Sequence, residues 1–219
     1  MKSEVNMVNV KISQDDMRLY NFITPKTKVL FAHPNNYSSL HYLVQHKKIA
    51  LHVLDVPITN LKTVTQAGGI FLQGDMNKIS KIINPQEFDL VVLGDSFLKY
   101  NDIVGVLQKA TTLGKYCLIE FKNKSTLQNR INFLINGTIF TKEDKTKWYK
   151  NGFQYSCTSS EFINLCISNK LSIDRGCFYD FANKVTNIYL ITKLPSLFAN
   201  RFFFIISADN TVNKQATVD

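Results

Sequence analysis

The chain reads as a doubly wound α/β domain, with a largely parallel sheet covered by helices on both faces. Three observations lead there. Short runs dense in aliphatic residues, of which Phe88-Asp-Leu-Val-Val-Leu-Gly94 is the clearest, alternate with stretches whose apolar residues recur three and four positions apart. This alternation is kept for five cycles, and glycine or proline punctuates the joins. Right-handed crossovers between successive strands then force a parallel sheet buried on both sides.

Ser13 caps a short first helix with Asp15 and Asp16 in its opening turn and Met17, Tyr20 and Ile23 on nearly one face. Pro25 stops it, and Lys28 to Ala32 forms the first strand. Ser38 or Ser39 serves as N-cap for a helix carrying Leu40, Leu43 and Val44, and Ile49 to Asp55 has the density of a second buried strand. Beyond Pro57, residues Leu61, Val64 and Ala67 mark a helix ended by Gly68 and Gly69, and the third strand runs from Gly69 to Gly74. A weak helical turn around Ile79 and Ile82 is broken at Asn84-Pro85, ahead of the strand from Phe88 to Gly94, which its apolar density places at the centre. Ile103, Val106, Leu107 and Ala110 form a helix stripe ending at Gly114, and Tyr116 to Phe121 is the fifth strand.

The second half changes character. A helix from about Ser125 to Asn136, with Leu127, Ile131, Leu134 and Ile135, ends at Gly137 and opens a long irregular segment reaching Thr158. Ser159 or Ser160 caps the next helix, with Phe162, Leu165 and Cys166, before two closing strands at Leu171 to Tyr179 and Phe202 to Ser207. Residues 1–12 read as an N-terminal tail, 13–207 as one domain, and 208–219 as a polar, disordered tail.

With 219 residues and 45% apolar content the chain can bury one good core. Its longest apolar run near either end, Phe202 to Ser207, is too short to span a bilayer, and the first ten residues show no apolar signal core. A cytoplasmic address with no membrane partner follows. Cys117, Cys157, Cys166 and Cys177 lack any metal-ligand spacing and read as buried thiols. His33, His41, His46 and His52 read as surface or interfacial residues, because a five-residue gap such as that between His41 and His46 does not align side chains on an α-helix. The net charge of +9 is densest from Lys122 to Lys150, where basic residues stand beside Trp148, Tyr149, Phe153 and Tyr155. RNA-binding surfaces combine the same residue types. Glu143 and Asp144 interrupt the patch, which favours a solvated face and argues against a nucleic-acid partner.

Local words narrow the fold further. Asp15-Asp-Met-Arg-Leu-Tyr-Asn-Phe-Ile-Thr-Pro-Lys-Thr-Lys-Val-Leu30 resembles the opening helix and strand of the methionine biosynthesis protein MetW family. Gln73-Gly-Asp75, Phe88-Asp-Leu-Val-Val-Leu93 and Trp148-Tyr-Lys-Asn-Gly-Phe-Gln-Tyr-Ser-Cys-Thr-Ser-Ser-Glu-Phe162 are similar to later words of that family. So is Leu194-Pro-Ser-Leu-Phe-Ala-Asn-Arg-Phe-Phe-Phe-Ile-Ile206. The resemblance implies a Rossmann-like, seven-stranded class I methyltransferase sheet whose last strand is antiparallel.

It also exposes a departure. Where the family's first motif reads Val-Leu-Asp-Leu-Gly-Cys-Gly-Asp-Gly, this chain has Val29-Leu-Phe-Ala-His-Pro-Asn-Asn-Tyr37. Phe31 cannot accept a hydrogen bond from the ammonium of S-adenosylmethionine, Pro34 removes a backbone donor, and Cβ atoms at His33, Asn35 and Tyr37 block the close approach that glycines permit. No bound cofactor is therefore expected; if the protein is active, the cofactor is S-adenosylmethionine. The cofactor-binding candidates are then Asp55, Gly74, Asp75 and Asp95, at the ends of the second, third and fourth strands. Asp55 stands between Leu54 and Val56, which hold the family's acidic places, and serves only after a one-residue shift. For each acid a turn or helix-cap role is the competing reading. No catalytic residue and no metal site is expected.

Three functions follow from these residues. The resemblance implies a non-catalytic partner supporting a homoserine O-acyltransferase, with the Phe140 to Thr158 segment as the candidate contact. The alternatives are a methyltransferase with a divergent loop and an RNA-binding protein on the same fold.

Overall fold

The computed structural model describes residues 14–32, 34, 36–37, 39–94, 97–98, 100–137, 157–179 and 195–208. The first helix, α1 (Gln14–Asn21), precedes β1 (Lys28–Ala32). Then come α2 (Leu40–Tyr42), β2 (Ala50–Leu54), α3 (Ile58–Gln66), β3 (Ile70–Leu72), α4 (Met76–Ile82), β4 (Phe88–Leu93), α5 (Ile103–Leu113) and β5 (Gly114–Lys122). The second half adds α6 (Leu127–Asn136), α7 (Ser159–Ser168), β6 (Leu171–Tyr179), α8 (Pro195–Phe198) and β7 (Arg201–Ala208).

The seven strands form one sheet in the order β3-β2-β1-β4-β5-β7-β6. The first five run parallel, as short βα repeats require. β7 enters antiparallel between β5 and β6, with Glu120 opposite Phe203 and Lys122 opposite Arg201. A bulge at Asp174 shifts the β6 register between Ile173 and Arg175.

Strand alternation divides the core into two layers. On one face Leu30, Ala32, Leu54, Val91, Leu93, Cys117, Ile119 and Phe121 pack with α5 and α7. On the other, Val29, Phe31, Val53, Val92, Leu118 and Phe203 pack with Tyr20, Ile23, Leu40, Leu43 and Val64. Among the described residues no helix is long and apolar enough to cross a membrane.

Several sequence expectations are corrected. Ser39 stands at the N-cap position read from the sequence, but its backbone is α-helical and its side chain makes no capping bond; Ser38 lies outside the described residues. The buried Ser39 hydroxyl instead donates to the Asn36 carbonyl at 2.8 Å and accepts from the Tyr20 hydroxyl, tying α1 to the turn after β1. The helix carrying Leu43 and Val44 continues as a π-helical turn, Leu43–Lys47, closed by left-handed Lys48. The Lys47 ammonium then reaches back to the Tyr20 and Ile23 carbonyls at the end of α1. The turn around Ile79 is a seven-residue helix, because Asp75 caps it and Met76 and Ile79 are buried. Thr158, not Ser159 or Ser160, caps α7 through a reciprocal bond pair with Glu161. Of the four cysteines only Cys117 and Cys166 are fully buried; Cys157 and Cys177 are half-buried, on the shoulder of α7 and in the outer strand β6. Ala208, assigned to the tail by sequence, is the last residue of β7.

Candidate functional site

The carboxyl ends of β3, β2, β1 and β4 lie side by side, and the loops that leave them bring Asp75, Asp55, Tyr37 and Tyr100 to one crevice. Ligands of open α/β sheets occupy this position. Asp55 ends β2 in a left-handed conformation, φ 48°, which aspartate tolerates better than most residues. Its backbone N–H donates to the Leu72 carbonyl at 2.9 Å, so the end of β2 is pinned to β3, and its side chain is exposed. Leu54 before it is wholly buried in the core, and the exposed Asp55 carboxylate lies near enough to Tyr37 and Tyr100 to act on both hydroxyls.

Two phenols register that carboxylate. Burial, and then the Asp55 charge, raises the Tyr37 hydroxyl above its ordinary value. Tyr100 is pushed up to about 12 by burial, then by Asp55 and Asp75. Both tyrosines therefore stay protonated across the physiological range, Tyr37 near Asp55 and Tyr100 near Asp55 and Asp75.

Asp75 and Gly74 have a local role as well. Gly74 has φ 122°, a conformation a side chain rarely adopts, and it turns the chain from β3 into α4. Asp75 Oδ1 then accepts from the Lys78 N–H at 2.9 Å as the N-cap of α4. Asp95, His33 and Asn35 lie outside the described residues, as does most of the Phe140 to Thr158 segment.

Phe31 is 2% exposed and packs in the second core layer, and Tyr37 leans on the same layer. An acid at the first position and a bare glycine at the second are what a methionine-bearing nucleoside would need there. Tyr100 was missed by sequence reasoning. Its signal was position alone, since it follows the strand-four end at which Asp95 was singled out. Among the described residues no cluster of His, Cys, Asp or Glu could hold a metal ion.

Comparison with known proteins bears out the fold. The family model for methionine biosynthesis protein MetW matches residues 13–206. A search of curated proteins by sequence finds no match. Among solved structures, a SAM-dependent methyltransferase from Methanosarcina mazei superposes with a TM-score of 0.58 at 12% identity, over 87% of this chain and 96% of that one. One from Archaeoglobus fulgidus gives 0.58 at 16% identity, over 87% and 90%. Magnesium protoporphyrin IX methyltransferase from Synechocystis, solved with bound SAH, gives 0.54 at 12% identity, over 84% and 75%. Likeness at these identities shows the fold.

Proposed function

Because the chain belongs to the methionine biosynthesis protein MetW family, we propose that it is a non-catalytic protein partner supporting a homoserine O-acyltransferase. The observation that supports this reading is the burial of Phe31 at the end of β1. Phe31 and Tyr37 pack against the core where a cofactor would require an acid and a glycine. Methyl transfer depends mainly on holding donor and acceptor in line, so a chain that cannot seat the donor keeps the scaffold without the chemistry.

The test is reconstitution. Purified acyltransferase from the same host, assayed with and without this protein, is expected to gain activity or solubility on complex formation. An acyltransferase indifferent to the protein overturns the reading.

A second reading, a methyltransferase with a divergent loop, is favoured by one observation: Asp55 and Asp75 follow the carboxyl ends of the neighbouring strands β2 and β3, both near Tyr100. Calorimetric titration with S-adenosylmethionine separates the two. Micromolar binding that weakens in Asp55→Ala supports the enzyme; no heat of binding supports the partner role.

A further inference from the structure

The sheet ends in two unlike edges, β3 on one side and β6 on the other. The β6 edge is defended: a bulge at Asp174 breaks its register, and Asp174 and Arg175 stand exposed there. The β3 edge has no such defence. No charged residue and no proline occurs between Lys62 and Asp75, and Ile70 and Phe71 are 56% and 46% exposed. An apolar edge without charge, proline or bulge is a template for another strand. The helices that flank β3 in sequence, α3 and α4, both belong to the unbroken described stretch 39–94, so the surroundings of this edge in the chain are placed.

The backbone dictates how a strand pairs here. Leu72 stands opposite Leu54, and its carbonyl accepts from the Asp55 N–H at 2.9 Å, so the backbone groups of Leu72 face β2. Strand alternation then turns the N–H and C=O of Phe71 away from β2, toward the open side. A residue with both groups outward suits the hydrogen-bonded pair of an antiparallel ladder, in which two facing residues exchange both bonds.

The side chains say whose strand fits. With Phe71 opposite Phe71 of a second copy, a two-fold axis perpendicular to the sheet sets Ile70 of each copy opposite Leu72 of the other, so every facing pair is apolar. Phe71 shares a sheet face with Val53, and Leu72 shares the other with Leu54, so contact is made on both faces. In a chain of net charge +9, this edge lets two copies meet with no like charges facing one another across the strands. β3 is only three residues long, which makes the pairing concentration-dependent.

We propose that the chain dimerises by antiparallel pairing of β3 with β3 of a second copy, Phe71 facing Phe71 across the axis, so that one sheet runs through both copies. The proposal does not depend on the acyltransferase reading.

The test is sedimentation equilibrium of the full chain over a range of concentrations, with Phe71→Lys, Phe71→Pro and Ile167→Lys beside the parent. Phe71→Lys sets like charges directly opposite, and Phe71→Pro removes the outward N–H while sparing the ladder to β2. Dimer affinity is expected to fall by about tenfold or more in both. It is expected to stay unchanged in Ile167→Lys, 69% exposed on α7. Melting temperatures of the variants check folding, and where a Phe71 variant melts early, Ile70→Lys, on the other face of the strand, takes its place with the same expected loss. A photo-crosslinking phenylalanine analogue at position 71 is expected to join two copies through residues 69–73. A chain still monomeric at about 1 mM, a dimer that a folded Phe71→Lys or Ile70→Lys variant leaves intact, or a crosslink from position 71 that lands elsewhere overturns the proposal.

Discussion

At the scale of single residues, the buried charges among the described residues are paired. Glu120 and Arg201, both buried, form an ion pair between the neighbouring strands β5 and β7. Removing one partner leaves the other charged and out of water. Arg201→Met is therefore expected to lower unfolding free energy by about 3–5 kcal/mol in urea titrations, and the double variant Glu120→Gln with Arg201→Met to recover most of that loss. Asp89 is a milder case at the opposite end of the sheet. Its Oδ1 accepts from the Lys115 ammonium at 2.7 Å and its Oδ2 from the Lys28 backbone N–H at 2.9 Å, in that order of effect, and the carboxyl is held below its ordinary value. A depressed carboxyl contributes stability above its unfolded pKa, about 4, and loses it as pH falls through the lower folded value. Asp89→Asn should thus be less stable than the parent at pH 7, and the gap should close in strong acid, as urea midpoints at both pH values will tell.

At the scale of elements, caps separate what the sequence announces from what it conceals. Asp75→Asn keeps the acceptor that caps α4 and removes the charge, whereas Asp75→Ala removes both. Stability is expected to stay nearly constant in the first and to fall by about 1 kcal/mol in the second. An effect of Asp75→Asn on ligand or partner binding would then report the crevice and not the helix. The bounds of β1 and the central place of β4 were legible because an unbroken apolar run is a local signal, and both strands are buried nearly from end to end. The π-helical turn Leu43–Lys47 was not, since its apolar spacing imitates an α-helix and only the backbone hydrogen-bond step distinguishes it. The candidate site was half legible. Strand ends located Asp55 and Asp75, but the left-handed backbone of Asp55 and the partial burial of Tyr100 arise from tertiary packing.

At the scale of the whole molecule, the last strand closes the structure. β7 lies between β5 and β6 and gives Phe202, Phe204 and Ile206 to one core layer and Phe203 to the other. Phe121 from β5, Phe162 from α7 and Phe204 from β7 meet with ring centroids 5.0–6.0 Å apart, so a helix and two strands distant in sequence share one aromatic cluster. Small domains unfold as one cooperative unit when their layers are coupled in this way. Ending the chain at residue 200 removes that coupling and leaves the inner edge of β5 without its partner, with Leu118, Ile119 and Phe121 open to water. The expected result is loss of a sigmoidal thermal transition, not a modest drop in melting temperature. Phe162→Ala, which opens a cavity but keeps every strand, should cost about 3–5 kcal/mol and still unfold in a single step. Calorimetry of the two variants distinguishes a sheet that depends on its last strand from one that only ends with it.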